Sequence, residues 1–460
     1  MNWSPQILEG SAPIYVRLAD AIARDVASGK LPAGARLPPH RDLAHRLKLG
    51  VGTVSKAYSE AERRGVLAGQ VGRGSFVTGL TGTAGTRGTD DVLDLARNFP
   101  PPSPAERRLR EAVSRLRSRE DLAEAATYSK VEGLHRTREA GAAWLTGRCG
   151  LASVDADRLI QCNGGQHGLA IALAALCRPG DTILCDSVTF FGMVLIAQHA
   201  GYRLHGLAMD SEGMDPDAIA EAAKRTGARV VYIMPTLQNP TTRTMSAARR
   251  RKIAEVARTM GLTILEDDVY RPYAPSKADL PAFADLAPDN TFHVASVSKA
   301  ICPGLRVGFM LPPRDLHSAT LRSAQSAGWS PAALGGMIFA QWIEDGTADA
   351  ILEETVAEVR WRTDAAREIL GDALENPPHP ASLHLWLPMP MLDAERTAGR
   401  ALRAGVQVTP VDAALVGPQD VSGIRLCIGA ARDRSSLRVA LETVRQSMHG
   451  EVAGRSVAFL

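Results

Sequence analysis

Six short apolar runs between residues 158 and 311 constrain this chain more than anything else in it. They read RLIQC (158–162), DTILC (181–185), RVVYIM (229–234), LTILED (262–267), TFHVAS (291–296) and RVGFML (306–311). The segments between them carry helical periodicity, so strands alternate with helices. That alternation predicts an α/β body, a mainly parallel sheet covered by helices on both faces. Sheets of this kind bind ligands at the carboxyl ends of their strands. The residues at those ends are therefore where chemistry is expected.

The first run leads into NGGQHGLAIALAAL, where Gly164 and Gly165 permit close backbone approach. The amides opening the next helix can hold an anion such as phosphate. The second run leads to Phe190, which can stack on a flat ring or fill core. The third leads to Asn239 ahead of Pro240. The fourth ends in Glu266, Asp267 and Asp268, with Tyr270 close behind. Adjacent carboxylates at a buried strand end need a cation, either a protonated ring nitrogen or a metal. No His or Cys partner lies close enough in sequence to favour a metal, and none is expected. The fifth run ends in SVSKAICPGLRVGF, with Ser296, Lys299 and Arg306.

One cofactor needs this whole inventory. A buried lysine can form a Schiff base with an aldehyde, and pyridoxal 5′-phosphate brings an aldehyde, a pyridine ring, a phenolic oxygen and a phosphate. Lys299 is the expected Schiff-base lysine and Asp267 the partner of the protonated ring nitrogen. Asn239 and Tyr270 are expected at the phenolic oxygen, and Phe190 on the ring face. The Gly165 and Gln166 amides, Ser296 and a bidentate Arg306 are expected at the phosphate. Taken singly, each residue has a plainer reading: a helix cap and surface lysine at 296–299, or a structural ion pair at Arg306. All of those would have to hold together.

The N-terminal 80 residues have a different character. They hold eleven Lys or Arg against six Asp or Glu, whereas the whole chain is only +3. A basic module on a slightly acidic body points to a polyanion for the module alone. Ile14, Leu18, Ile22 and Val26 recur at intervals of four and predict one apolar helix face. RDLAHRLK, the tight LGVG and TVSKAYSEAERRG then read as a helix-turn-helix, and VLAGQVGRGSFVT as a small hairpin or wing. Arg41, Thr53, Ser55, Lys56 and Arg73 are the groups expected to face double-stranded DNA. A solvated basic face, or a protein-interaction module, is the alternative. Residues 79–91, rich in Gly and Thr, are expected to be a flexible linker between a winged domain at 10–78 and a body at 92–450.

The stretch LPPHRDLAHRLKLGVGTVSKAYSEAERRGVLAGQVGRGSFV resembles the GntR family of winged-helix regulators, with Gly50 and Val51 where that family commonly has serine and arginine. The segments GGQHGL, NPTT, EDDVY and SVSKAICPGLRVGF resemble, in order, the fold-type I aminotransferases dependent on pyridoxal 5′-phosphate. Phe190 and Gly165 stand where those enzymes often carry tyrosine and serine or alanine. That resemblance implies a small C-terminal α/β subdomain at roughly 335–450. It also implies that Tyr128 reaches the phosphate of a neighbouring subunit and that Arg425, in GIRLCIG, binds a ligand carboxylate. The two halves together resemble the MocR subfamily of GntR regulators. Membership of that subfamily implies a homodimer that binds DNA and senses an amino acid, amine or vitamer. An active aminotransferase carrying a DNA-binding appendage is the alternative.

Six scattered cysteines without a C-x-x-C pair fit a reduced, cytoplasmic protein. No window approaches the roughly 18 apolar residues of a spanning helix, so no membrane partner is expected.

Overall fold

The computed structural model describes all residues except 1–2, 4, 7–12, 28–29, 32–34, 36, 64–66, 71–73, 78–91, 103–104, 118, 275–278, 376–379, 411–413, 418–420 and 451–460. The chain divides into two compact units, residues 1–90 and 91–460.

The first unit is built from helices α1 (Ile14–Ala27), α2 (His40–Leu47) and α3 (Val51–Arg63) and a hairpin, β1 (Leu67–Gln70) with β2 (Gly74–Val77). The hairpin is antiparallel, with Leu67 opposite Val77 and Gln70 opposite Gly74. Leu18, Ile22 and Val26 enter the core with Leu43, Val54 and Tyr58, whereas Ile14 is exposed. A four-residue step overshoots one helical turn by about 40°, so a run of such steps drifts off the buried face. The turn between α2 and α3 is shorter than the sequence suggests. Lys48 takes a left-handed conformation (φ 53°) and closes α2, and Val51 and Gly52 already belong to α3. The expected linker 79–91 and Arg73 lie outside the described residues.

The second unit centres on a seven-stranded sheet. Its strands are β3 (Ile160–Cys162), β4 (Thr182–Asp186), β5 (Arg203–Leu207), β6 (Val230–Ile233), β7 (Thr263–Asp267), β8 (Thr291–Ser296) and β9 (Gly308–Leu311). They lie in the order β3-β9-β8-β7-β6-β4-β5. All neighbours are parallel except β9, which runs antiparallel to both β8 and β3. β5 has no counterpart among the six apolar runs. Its sequence RLHGL is exposed or half-buried over the first three residues, as an edge strand can be.

Apolar clusters cover both faces of the sheet. Ile264, Val231 and Ile233 pack with Ile219, Ile253 and Phe283 on one side. Leu265, Tyr232 and Val294 pack with Leu169 and Leu173 of helix α4 (Gly165–Leu176) on the other. A smaller three-stranded sheet, Leu385–Pro388, Gly423–Leu426 and Thr409–Pro410, forms a separate core with the helices 391–403 and 434–449. Leu95 is buried in that core. The backbone of residues 93–95 bonds to Gly405 and Gln407, which ties the start of the body to its C-terminal part.

Candidate ligand site

A cavity of about 140 Å³ opens at the carboxyl ends of the central strands. Gly165, Gln166, Phe190, Asp267, Tyr270, Ser296, Lys299 and Arg306 all line it, joined by Met234, Val269 and Ser298. Eight residues predicted from separate stretches of sequence therefore meet in one place. Val269 and Ser298 sit beside the predicted Tyr270 and Lys299, and Met234 directly follows β6.

The acidic triplet separates as a strand must. Successive side chains of β7 point to opposite faces, so Ile264 and Glu266 share one face and Leu265 and Asp267 the other. Glu266 is fully buried, accepts from the Phe283 and Ala284 amides at 2.8 and 3.1 Å, and pairs with His293 at 2.8 Å. Burial pushes the Glu266 carboxyl up, but His293 and the amides hold it below its ordinary value. Asp268 faces Arg271 at 3.8 Å, both fully buried. Only Asp267 faces the cavity, so a single carboxylate awaits a cation there. No group of side chains suited to a metal occurs among the described residues.

Asp267 is half satisfied. Tyr232 lies opposite Leu265 across the β6–β7 pair, and its hydroxyl donates to Asp267 Oδ2 at 2.8 Å. Oδ1 is buried with no partner. Burial, with Asp268 adding to it, raises the Asp267 carboxyl to about 6. A bare carboxylate oxygen in an apolar setting costs free energy that a protonated ring nitrogen would recover.

Lys299 follows β8 in a turn fixed from several sides. Tyr273 donates its hydroxyl to the Lys299 carbonyl at 2.7 Å. Ser296 Oγ donates to the Val307 carbonyl at 3.2 Å and accepts from the Ser298 amide at 3.2 Å. The ammonium donates to the carbonyl of Asn98. Burial lowers the Lys299 amine to about 8. Roughly a tenth of it is then neutral at pH 7, several hundred times the share of an ordinary lysine.

The opposite end of the cavity is built for an anion. Gly164 precedes α4 with φ 89° and ψ 170°, a conformation only glycine adopts readily. A methyl group there would meet Arg306 Nη2 at 2.7 Å. Arg306, itself left-handed at φ 54°, lies against this glycine and donates to the Asn163 carbonyl at 2.9 Å. The guanidinium and the helix N-terminus thus converge on one place, where partial and full positive charge add.

Asn239 and Arg425 are not among the residues lining the cavity but bond each other. Arg425 Nη1 donates to Asn239 Oδ1 at 2.7 Å, and Nη2 to the Ala96 carbonyl at 2.7 Å and Thr409 Oγ1 at 3.1 Å. Tyr128 does not line the cavity. It is 83% exposed and stacks edge-on against Trp329 at 6.2 Å.

Sequence reasoning passed over Asn98, His384 and Tyr232. Asn98 Nδ2 donates to the Tyr270 hydroxyl at 2.7 Å and lies 3.2 Å from His384 Nδ1. His384 is buried beside the Tyr270 ring, its Nε2 3.1 Å from the Gln238 carbonyl, and burial lowers its imidazole to about 3. No strand-end pattern marks Asn98 or His384. The alternation within RVVYIM could have placed Tyr232 on the Asp267 face.

In the first unit Arg41 and Lys56 are exposed and Thr53 is half-buried. Ser55 bonds His40 Nδ1 at 3.0 Å, and Tyr58, edge-on to His40, donates to the Pro38 carbonyl at 2.9 Å. Ser55 therefore ties α3 to α2.

Comparison with known proteins agrees with both units. Residues 90–444 match the family "Aminotransferase class I and II", and residues 14–77 match "Bacterial regulatory proteins, gntR family". The uncharacterized HTH-type transcriptional regulator YdeF of Bacillus subtilis is 28% identical over 97% of this chain and 96% of its own length. The 2-aminoadipate transaminase of Thermus thermophilus is 25% identical, over 79% of this chain and 91% of its own. The crystal structure of LysN, the alpha-aminoadipate aminotransferase of that organism, complexed with N-(5′-phosphopyridoxyl)-L-leucine, superposes with a TM-score of 0.70 at 24% identity. It covers 78% of this chain and 93% of the other.

Proposed function

The chain belongs to the aminotransferase class I and II family over residues 90–444, and from that premise we propose that its cavity is the sensing site of a transcription regulator. The GntR-family module at 14–77 binds DNA, and pyridoxal 5′-phosphate is the cofactor of the body. The relatives that share both parts, YdeF among them, are HTH-type transcriptional regulators. The observation that carries the reading is the bare Oδ1 of Asp267, facing the same cavity as Lys299 and the Gly164–Arg306 cradle.

Bound there, the cofactor supplies an aldehyde that captures amines and a ring that withdraws electrons from what it captures. Lys299 offers that aldehyde a partly neutral amine. Asp267 Oδ1 would accept a hydrogen bond from the protonated ring nitrogen and keep that proton on the ring. Tyr270 and Asn239 would donate to the phenolic oxygen, and Phe190 would pack against the ring. Arg306, Ser296 and the Gly165 and Gln166 amides would hold the phosphate. Tyr128, exposed on its own chain, is proposed to complete the phosphate site of a second copy. Arg425 is proposed to take the carboxylate of an amino acid effector in exchange for its present carbonyl and hydroxyl partners. An effector amine that replaces Lys299 would change the contacts of both Lys299 and Arg425. Such a ligand shifts the DNA-binding equilibrium by its differential affinity for the two states.

The test is spectroscopic. Purified protein with pyridoxal 5′-phosphate is expected to show a visible absorption band that Lys299→Ala abolishes. An unchanged band in that variant would refute the assignment. Amino acids that alter the band without net transamination favour the sensor, and sustained turnover with a keto acid favours the enzyme.

A further inference from the structure

The Tyr270 hydroxyl has a partner that the cofactor assignment does not require: Asn98 Nδ2 donates to it at 2.7 Å. An amide N–H thus occupies an acceptor position of the oxygen, and the hydroxyl's own proton is left to point elsewhere. The orientation of Asn98 is fixed independently. His384 Nε2 faces the Gln238 carbonyl and must carry the ring proton, so Nδ1 accepts the second Asn98 N–H at 3.2 Å. The main-chain oxygen of Asn98 receives the Lys299 ammonium.

We infer that Asn98 is a positioning residue of the cofactor site, whose side chain makes Tyr270 a committed donor into the cavity while its carbonyl holds Lys299. This role rests on the proposed binding of pyridoxal 5′-phosphate in the cavity. A hydroxyl whose oxygen accepts from an amide is a stronger donor, because chains of hydrogen bonds polarise one another. Tyr270 donating to the phenolic oxygen stabilises negative charge there. That charge otherwise attracts the proton of the Lys299 Schiff base. Asn98 therefore acts through Tyr270 to lower the proton affinity of the lysine nitrogen. The other ionisable groups around that nitrogen are Asp267, Arg306, Arg425 and Cys427, and around Tyr270 also His384. All of them are unchanged in Asn98→Ala, whereas Asn98→Asp adds a carboxylate of its own, so Asn98→Ala is the deciding variant.

The experiment is a pH titration of the Lys299-dependent absorption band in the full-length protein loaded with pyridoxal 5′-phosphate. Asn98→Asp keeps the volume and replaces N–H donors by acceptors, and Asn98→Ala removes the side chain. Both are expected to raise the midpoint by about one pH unit, a tenfold gain in proton affinity. Tyr270→Phe is expected to raise it at least as far, with no further shift in the double variant Asn98→Ala/Tyr270→Phe. An unmoved midpoint in Asn98→Ala would overturn the inference, and so would fully additive shifts in the double variant. Loss of cofactor from Asn98→Asp would overturn it too, by making Asn98 a binding residue. A wild-type protein with no Lys299-dependent band refutes the cofactor reading itself, a separate result.

Discussion

Tyr232 donates its hydroxyl to one oxygen of Asp267 at 2.8 Å, and the other oxygen of that carboxylate is buried without a partner. Burial holds the Asp267 carboxyl at about 6, above its unfolded value. Between about pH 4 and pH 6 the folded protein therefore binds a proton that the unfolded chain does not. Its stability falls as pH rises through that window, by on the order of 3 kcal/mol for this one group. A cation at Oδ1 removes the loss. The melting-temperature gain from pyridoxal 5′-phosphate is thus expected to be larger at about pH 8 than at about pH 5. Asp267→Asn should shrink that difference. A gain that is equal at both pH values would contradict this account of Asp267.

Gly164 makes the anion cradle possible, because its backbone is confined to glycine and its missing side chain leaves room for Arg306. Gly164→Ala is expected to cost about 1–3 kcal/mol in backbone strain. It should also displace Arg306 and weaken retention of the cofactor. Denaturant unfolding and dialysis of loaded protein measure the two effects. A variant with wild-type stability and retention would show that the cradle is not needed.

Lys56 of α3 and Arg41 of α2 are exposed cations. Lys56→Ala is expected to weaken DNA binding across sequences and to reduce the slope of log affinity against log salt by about 1. Loss of affinity with an unchanged slope would mean that Lys56 does not meet phosphate. No salt-dependent binding at all would favour a protein-interaction role for the module.

Much of this site is legible in the sequence, and the reason is local. A parallel sheet delivers the residue after each strand to one edge, so Asp267, Ser296 and the Gly164–Gly165 turn can be located from the apolar runs that precede them. Lys299 and Arg306 lie in the loop after Ser296. The residues that escape depend on contacts far apart in sequence. Asn98 meets Tyr270 and His384 across 172 and 286 residues, and nothing in ARNFPPP distinguishes an amide that does so. The triplet EDD looks like one acidic cluster because sequence adjacency hides strand alternation. In the fold Glu266 and Asp268 have cationic partners of their own, His293 and Arg271. Ile14 fails as a core residue for a related reason, since a spacing of four approximates the helical period without matching it.

The central claim is that events at Lys299 govern DNA binding. It is tested most directly by equilibrium binding of the full-length, cofactor-loaded protein to DNA from upstream of its own gene, with and without each of a panel of L-amino acids. At least one amino acid that alters the Lys299-dependent absorption is expected to change DNA affinity about 5- to 150-fold, the usual range of allosteric coupling. Lys299→Ala should abolish that response while still binding DNA. Amino acids that alter the absorption, are turned over with a keto acid and leave DNA affinity unmoved would contradict the claim and identify the body as an enzyme.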